Sequence, residues 1–479
     1  MFIGRKAELA FLEEKYASPH AELVVLYGRR RIGKTELLKQ FCKNKANVFY
    51  SCKECIDAEQ LRNFSDRLLQ TGMPASHYIS AFSDWEQAFR SIVDVPVSNG
   101  RKKLVIIDEF PYMCKSNSSI PSVLQNLWDN YLKDSPVMLI LCGSSMSFIE
   151  KEILSEKNPL YGRATGIYKM SEMSFYEAIQ FFPNYSAQDK MTAYAVLGGI
   201  PHYLKQFECE LSLAENICKH ILSKGSILYS EIEFLLHQEL RETAVYNSVI
   251  EAVALGNTRL SDIYNKTQIE KTKISVYLGN LIELGIIKRE FSVSDGIKES
   301  ANSQRGLYRL TDNYFRFWYT YVYPNYSELE NSDVNGVWQY AVLPSLNQFV
   351  SHSFEDICIQ YMRKENMLNQ LPFHYSRIGR WWDKVSVTEQ GKRVSRTEEI
   401  DIMAYDINKE QYILGECKYR NEKTDINVLE GLKKKFPSVN KKCYYYLFSL
   451  SGYTQKLLEY AAENDNVRLV DMDVIIDGE

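Results

Sequence analysis

Long hydrophobic runs are missing from this sequence of 479 residues. The longest apolar stretches, such as Val137–Cys142 and Leu104–Ile107, are far shorter than the ~20 residues that a helix needs to cross a bilayer. The N-terminal stretch Met1–Lys6 also lacks the apolar core of a secretory signal peptide. These absences predict a soluble, cytoplasmic protein with no membrane partner.

A second CxxC pair and a strong net charge are missing as well. The 10 Cys residues are scattered, and Cys52 and Cys55 form one CxxC pair, whereas a four-cysteine zinc site needs two. The net charge is −4, from 57 Lys and Arg against 61 Asp and Glu, so any nucleic-acid site has to be local. The hydrophobic content of 45% is typical of globular proteins, and the length predicts about three domains.

A phosphate-binding loop is the clearest motif in the sequence. The apolar run Leu23–Tyr27 predicts a buried strand, and a helical pattern with Leu37, Leu38 and Phe41 on one face follows the loop. Glycines let backbone N–H groups surround phosphates, and the helix N-terminus adds positive charge. Lys34 is expected to reach the β- and γ-phosphates of ATP, and the Thr35 hydroxyl to ligate Mg²⁺. The residues that match G-x-x-x-x-G-K-[ST] are Gly28, Arg29, Arg30, Arg31, Ile32, Gly33, Lys34 and Thr35.

An acidic pair ends a second apolar strand about 75 residues later. The run Leu104–Ile107 predicts a buried strand, and Asp108 and Glu109 follow it directly. A P-loop needs such an acidic partner, because Mg²⁺ prefers oxygen ligands and the attacking water needs a base. Asp108 is therefore predicted to hold Mg²⁺, and Glu109 to act as the general base.

Several motifs in this order resemble the archaeal-type ATPase family, which belongs to the AAA+ and STAND neighbourhood of P-loop ATPases. The resemblance covers roughly residues 1–230. It implies that Gly4 and Arg5 lie near the adenine-side pocket. The motifs are Phe2–Arg5, the P-loop, Asp108–Tyr112, Gly143–Ser145, Tyr161–Arg163 and Gly198–Pro201.

The same resemblance implies roles for polar residues that follow the P-loop and the acidic pair. The apolar run Val137–Cys142 predicts a third strand. In ATPases of the AAA+ type, a small polar residue after this strand senses the γ-phosphate, so Ser144 or Ser145 is the candidate. The alternative is a helix cap, because a helical stretch begins at Met146. Arg163 either stabilises transition-state charge, in its own subunit or a neighbour, or is a salt-bridged surface arginine. Gly198–Pro201 is either a hinge that reports the nucleotide state or a helix–helix turn.

The middle of the chain has the element order of a winged helix-turn-helix domain. Residues 246–290 predict three helices, and two strand-like runs follow, around Ile286–Glu290 and Gly306–Leu310. The third helix carries polar residues suited to DNA phosphates and base edges, although a role in protein contacts fits equally well. The aromatic stretch Asp312–Pro324 predicts a buried helix that docks the winged helix to its neighbours, and the alternative is a stacking platform for single-stranded nucleic acid. The polar residues are Lys271, Lys273, Ser275, Tyr277 and Asn280.

Carboxylates and a lysine meet in a predicted hairpin near the C-terminus. Alternation places Asp401 on one strand, and Glu416 and Lys418 on one face of the next. Two acids that bind Mg²⁺ and one Lys suit metal-dependent phosphodiester cleavage. The pattern resembles the PD-(D/E)xK nuclease superfamily, which implies that Glu355 is its helix-borne acid. It also resembles the uncharacterised domain that follows archaeal-type ATPase domains. The alternative is a surface hairpin with a weak Glu416–Lys418 ion pair.

These observations together predict an α/β protein. We expect a P-loop parallel sheet with a helical lid over residues 1–230, a winged helix over 231–335 and a restriction-endonuclease-like α/β domain over 336–479. The predicted function is Mg²⁺-dependent ATP hydrolysis, coupled to a DNA-binding or nuclease-like module. The alternative is an ATP-controlled, non-catalytic switch that binds a protein or nucleic-acid partner. The sequence does not indicate an oligomeric state.

Overall fold

The computed structural model describes residues 2–97, 102–294, 306–389, 392–436 and 441–477, with side chains omitted over 385–395. The chain forms two compact units. Unit 1 comprises Met1–Met173 with Ile200–His202, and unit 2 comprises Ser174–Gly199 with Tyr203–Glu479. The domain boundaries that we predicted near residues 230 and 335 remain predictions.

Unit 1 is built on the parallel sheet that the sequence predicts. Its five strands lie in the order β2-β3-β4-β1-β5, every pairing is parallel, and the three central strands β3, β4 and β1 are buried at nearly every position. Strand β4 lies between β1 and β3, so the loops after β1 and β3 emerge at the same edge on either side of it. The strands are β1 (Glu22–Tyr27), β2 (Asn47–Ser51), β3 (Lys103–Asp108), β4 (Val137–Gly143) and β5 (Gly166–Lys169).

Helices cover this sheet because its strands are apolar on both faces. Strands β1 and β4 are buried at every position. One continuous core includes Leu23, Val105, Leu139, Phe64 and Phe89. The longer helices of unit 1 are Lys6–Ala17, Lys34–Cys42, Asp57–Leu69, Trp85–Arg90, Phe110–Ser116 and Ile120–Leu127.

Unit 2 begins with helices and a small hairpin. Strands β6 (Ile287–Glu290) and β7 (Leu307–Leu310) pair antiparallel, as the sequence predicts for the second half of a winged helix. The aromatic stretch forms a buried helix, since Tyr314, Phe315 and Trp318 are fully enclosed. The longer helices before and after the hairpin are Ala187–Leu197, Ile227–Glu239, Thr243–Ala254, Leu260–Thr267, Lys271–Glu283, Asn313–Phe317 and Leu346–Met367.

The C-terminal sheet of unit 2 has five strands in the order β12-β11-β10-β9-β8. Strands β8, β9 and β10 pair antiparallel, whereas β10, β11 and β12 run parallel. Along the chain, the helix Leu346–Met367 is followed by three strands, a helix and a strand. The strands are β8 (Arg377–Glu389), β9 (Lys392–Tyr405), β10 (Gln411–Lys418), β11 (Lys442–Ser449) and β12 (Val467–Asp471). The helices are Ile426–Lys435, Gln455–Glu463 and Met472–Asp477. In the part of the chain that the structure describes, we find no helix of the length and hydropathy required to span a membrane.

Candidate functional site

The P-loop runs from the end of β1 into the helix Lys34–Cys42. Gly28 approaches strand β5 so closely that a Cβ there would lie 2.5 Å from the Met170 carbonyl oxygen. Gly33 precedes the helix with a φ of 90°, a conformation that favours glycine. Both glycines are therefore required by the backbone path. The helix that follows leaves its first N–H groups without partners in the helix, as phosphate binding needs.

Lys34 turns back over this loop. Its side chain is buried, and Nζ donates hydrogen bonds to the carbonyl oxygens of Gly28 at 2.8 Å and Arg29 at 2.9 Å. Burial lowers the pKa of Lys34, and the charges of Glu109 and Asp108 oppose that shift. The ammonium group is thus held inside the loop by neutral acceptors that anionic phosphate oxygens can replace.

Thr35 and Asp108 meet between the P-loop helix and β3. The Thr35 hydroxyl donates to Asp108 Oδ2 at 2.8 Å, and Asp108 is only 1% exposed. Asp108 Oδ1 accepts the Glu109 N–H at 3.1 Å. Hydroxyl and carboxylate oxygens are the donor set that Mg²⁺ prefers, so these two side chains fit the predicted metal ion.

Glu109 adopts a left-handed backbone conformation with φ 54° and ψ 42° at the start of the helix Phe110–Ser116. Its Oε2 accepts hydrogen bonds from the Ser144 hydroxyl at 2.9 Å and from the Ser144 N–H at 3.3 Å. Ser145 is the residue before the helix Met146–Phe148, but its side chain makes no capping hydrogen bond. The structure therefore separates the two serines: Ser144 contacts the predicted base, and Ser145 precedes the helix.

The arginines around the loop have different surroundings. Arg5 is 3% exposed and donates from Nη2 to the Ile32 carbonyl at 2.8 Å, and from Nη1 to Glu8 and the Ser171 carbonyl, each at 2.8 Å. Arg5 thus supports the P-loop backbone from within the protein. Its predicted position at the adenine pocket, together with that of Gly4, remains a prediction. Arg29 lies 3.6 Å from Glu172.

Arg163 forms a partly exposed ion pair. Its Nη2 lies 3.0 Å from Asp129 Oδ2, and its Nη1 donates to the Tyr161 carbonyl at 3.1 Å. This is the salt-bridged arrangement that the sequence left open as the alternative to a catalytic arginine.

The acidic constellation of the C-terminal sheet is brought together as predicted by strand alternation. Ile402 pairs with Gly415, so Asp401 and Glu416 take the next opposite positions of β9 and β10. Asp401 Oδ2 accepts the Cys417 N–H at 2.8 Å. Burial, and then the charges of Glu416 and Glu355, raise the pKa of Asp401 to about 7.

Two lysines neutralise Glu416. Its two carboxylate oxygens lie 2.8 Å from Lys418 Nζ and 2.7 Å from Lys435 Nζ. Lys435 belongs to the helix Ile426–Lys435, and the sequence showed it only as one member of a lysine cluster. Within the described ranges, no group of three or more His, Cys, Asp and Glu side chains is arranged to hold a metal ion. Asp401 and Glu416 are therefore the two carboxylates that this hairpin would offer a metal ion.

Glu355 contacts an arginine that the sequence analysis missed. Its Oε2 lies 2.6 Å from Arg380 Nε, so the carboxylate predicted as the helix-borne acid is already ion-paired. Arg380 also lies 2.9 Å from Asp356 and 3.0 Å from Glu290. The available signal was an arginine between apolar and aromatic residues at the start of β8, but its partners come from distant segments.

The predicted DNA-reading helix, Lys271–Glu283, directs two of its polar residues to neighbours in the same unit. The Tyr277 hydroxyl donates to Glu242 at 2.7 Å, and Asn280 donates to the Tyr246 hydroxyl at 2.7 Å. Lys271 and Lys273 are exposed. Of the polar residues predicted on this helix, Tyr277 and Asn280 are therefore bonded within the unit, whereas both lysines face solvent.

The chain matches two families along its length. Residues 2–207 match the family described as an ATPase domain predominantly from Archaea, and residues 318–429 match archaeal and bacterial proteins of unknown function. Uncharacterized protein MJECL04 of Methanocaldococcus jannaschii is 32% identical over 476 residues, which is 99% of each chain. A 45-residue segment, 9% of this chain, is 58% identical to the uncharacterized ATP-binding protein MJ0423 of the same organism and covers 76% of it.

A solved structure has a similar fold over about two thirds of this chain. The Walker-type ATPase PABY2304 of Pyrococcus abyssi aligns with a TM-score of 0.50 at 22% identity, covering 66% of this chain and 96% of that one. The P-loop, the acid after β3 and the parallel sheet agree with this likeness in fold. With the full-length relative at 32% identity and the matching ATPase domain, the chain belongs to the archaeal-type P-loop ATPase family.

Proposed function

We propose that this chain hydrolyses ATP in a Mg²⁺-dependent reaction at the P-loop of unit 1. The observation that carries the proposal is the 2.8 Å contact between the Thr35 hydroxyl and Asp108, directly beside the enclosed Lys34 ammonium. A P-loop used only for structure would not need a buried acid against this hydroxyl. Membership of an ATPase family supports the same reaction.

Each side chain has a step in this reaction. The loop N–H groups and Lys34 bind the β- and γ-phosphates, and Thr35 and Asp108 would hold Mg²⁺. The bound ion neutralises charge on the phosphates and orients them. Glu109 accepts a proton from the attacking water while the water oxygen bonds to the γ-phosphorus and the bond to the bridging oxygen breaks. ADP and inorganic phosphate leave. Ser144 is a positioning residue, because it holds the Glu109 carboxylate.

The test compares two substitutions in the site with two at exposed positions of the P-loop helix Lys34–Cys42. We expect Lys34→Ala to abolish ATP binding. We expect Glu109→Gln to bind ATP but to hydrolyse it about 10²–10⁴-fold more slowly, since a general base contributes that much. Lys39→Ala and Glu36→Gln are matched controls, because both residues are exposed on the P-loop helix. Normal turnover by Glu109→Gln would contradict the assignment of the base.

For the activity that is coupled to ATP hydrolysis, we propose that unit 2 contains a winged helix and a nuclease-like domain. The catalytic residues of that domain would be Asp401, Glu416 and Lys418. The favouring observation is that Asp401 and Glu416 occupy opposite positions of paired strands, with Lys418 bonded to Glu416. Lysines of the helix Ile426–Lys435 give the same region positive charge suited to DNA phosphates. Glu355 is left out of these catalytic residues, because its carboxylate is ion-paired with Arg380.

The substitution Asp401→Ala distinguishes the nuclease-like function from the non-catalytic switch. Mg²⁺- or Mn²⁺-dependent nicking of a plasmid that is lost in Asp401→Ala supports the nuclease-like function. Asp465→Ala is a suitable control, because Asp465 is an exposed acid of the same sheet region. ATP-dependent binding of DNA or of a protein that survives Asp401→Ala, with no nicking by either metal, supports the switch instead.

A further inference from the structure

A positively charged cavity lies in unit 2, and one of its lining residues, Arg380, is the ion-pair partner of Glu355. Its volume is about 100 Å³, whereas one water needs only ~10–15 Å³ by the same kind of measure. The hairpin β6–β7, the buried aromatic helix, the helix Leu346–Met367 and strand β8 contribute to its walls. The charged side chains that line it are Lys288, Arg309, Arg316, Arg380 and Asp356.

Two of the four cations are held by carboxylates. Arg380 lies within 3.0 Å of Glu290, Glu355 and Asp356, and Arg309 Nε lies 2.8 Å from Glu290. These three carboxylates are the acids on Arg380 and Arg309. Four cations against three acids leave one positive charge in excess around the cavity, where the charge of Asp356 also acts on Lys288 and Arg316.

Among these four cations, Arg316 is held in the protein interior. Its Nη2 donates to two neutral oxygens, the Phe349 carbonyl at 3.0 Å and the Ser353 hydroxyl at 2.8 Å. Its Nε is buried and has no hydrogen-bond partner among the described residues. Burial lowers the pKa of Arg316 to about 10, which still leaves it charged at neutral pH. A guanidinium group in such a place costs free energy that an anion would offset.

The positive charges around the cavity also act on His352. The surrounding protein, and then the charges of Arg316, Arg309 and Arg380, lower the pKa of His352 to about 4. Its imidazole is therefore neutral at physiological pH and retains one N–H donor. A tetrahedral oxyanion in the cavity would find guanidinium, ammonium and imidazole donors on several sides.

We propose that this cavity binds a phosphate group, carried either by inorganic phosphate or by a small phosphomonoester, through Arg316 and Lys288. Phosphate fits because it has several acceptor oxygens and a charge that matches the excess cation, and because arginine suits its geometry. A cavity of about 100 Å³ has room for the phosphate group but not for a whole nucleotide. A base and sugar would have to remain outside it.

The experiment uses the full chain with Lys34→Ala as the background, so that the P-loop does not contribute. Inorganic phosphate is titrated by calorimetry, and the midpoint of thermal unfolding is followed as a second measure. We expect saturable binding. We expect Lys288→Gln or Arg316→Gln, added to that background, to weaken the binding at least about tenfold, because each removes a charge-assisted bond.

Lys273→Gln is the matched control, since it removes the same charge from an exposed position outside the cavity. If Arg316→Gln folds poorly, Lys288→Gln still tests the site, because Lys288 lies on the hairpin rather than in the interior. Adenosine monophosphate is titrated in parallel: binding of it alone, with the same dependence on Lys288, identifies a phosphomonoester as the ligand. Absence of saturable binding of both compounds, or equal binding by all variants, overturns the proposal.

Discussion

At the scale of single residues, the chemistry of the P-loop site follows from side-chain type, but its geometry does not. Glycines, Lys34, Thr35 and Asp108 were predicted because phosphate and metal chemistry requires those residue types in that order. The left-handed conformation of Glu109, which places its carboxylate on Ser144, has no sequence signature. The choice between Ser144 and Ser145 therefore needed the structure.

His352 gives the first prediction, at this same scale. Its pKa of about 4 in the folded chain lies below the ordinary value of 6.5. Between these pH values the unfolded chain takes up a proton that the folded chain does not, so stability decreases as the pH falls through this window. His352→Gln removes that loss. Between pH 7 and pH 4.5, we expect the free energy of unfolding of the variant to fall by about 1 kcal/mol less than that of the wild-type chain. The difference is small because solvent reaches part of the imidazole and screens it.

The measurement is urea unfolding at pH 7 and pH 4.5 in phosphate-free buffer, because an anion in the neighbouring cavity would counteract the repulsion. His237→Gln is the control, as His237 is exposed on the helix Ile227–Glu239. An equal pH dependence of the wild-type chain and His352→Gln would show that His352 has no such role.

At the scale of elements, alternation and apolar runs predicted the strands well, since each pattern is local. The pairing of β9 with β10, and with it the meeting of Asp401 and Glu416, followed from the period of two. Arg380 could not be found in this way. Its partners are Glu290 on β6 and Glu355 and Asp356 on the helix Leu346–Met367, and only the three-dimensional fold brings these segments to strand β8.

Arg380 gives the second prediction, because it joins three elements. Arg380 is 7% exposed, so Arg380→Met would leave three carboxylates without their shared cation in a desolvated place. We expect a loss of about 3–5 kcal/mol in the free energy of unfolding, the usual cost of breaking a buried ion pair from one side. Arg380→Lys should recover only part of it, because one ammonium cannot contact three acids in the fork geometry of a guanidinium.

Urea unfolding followed by circular dichroism measures this loss. Arg363→Met is the control. Arg363 is exposed on the same helix as Glu355, and its substitution removes the same charge. A stability change of the same size in both variants would mean that net charge, rather than the ion-pair network, determines the result.

At the scale of the whole molecule, the near-zero net charge conceals local differences. Residues 351–450 hold 17 Lys and Arg against 14 Asp and Glu, so this stretch is mildly basic in a chain of charge −4. Composition therefore could not decide about nucleic acid. The division into two units was also beyond the sequence, because motif positions suggest boundaries but compact units depend on contacts between distant segments, as at Arg380.

The two units give the last prediction. Each has a hydrophobic core of its own, one around the parallel sheet and one around the C-terminal sheet, so calorimetry should resolve two unfolding transitions. ATP with Mg²⁺ stabilises only the unit that binds it, by about 2.7 kcal/mol at a hundredfold excess over Kd. We therefore expect the nucleotide to raise the midpoint of one transition, with Glu109→Gln used to prevent turnover during the scan. Lys34→Ala should abolish the shift and Lys39→Ala should preserve it. A single transition that moves as a whole would show that nucleotide binding stabilises both units together, and that they unfold as one cooperative body.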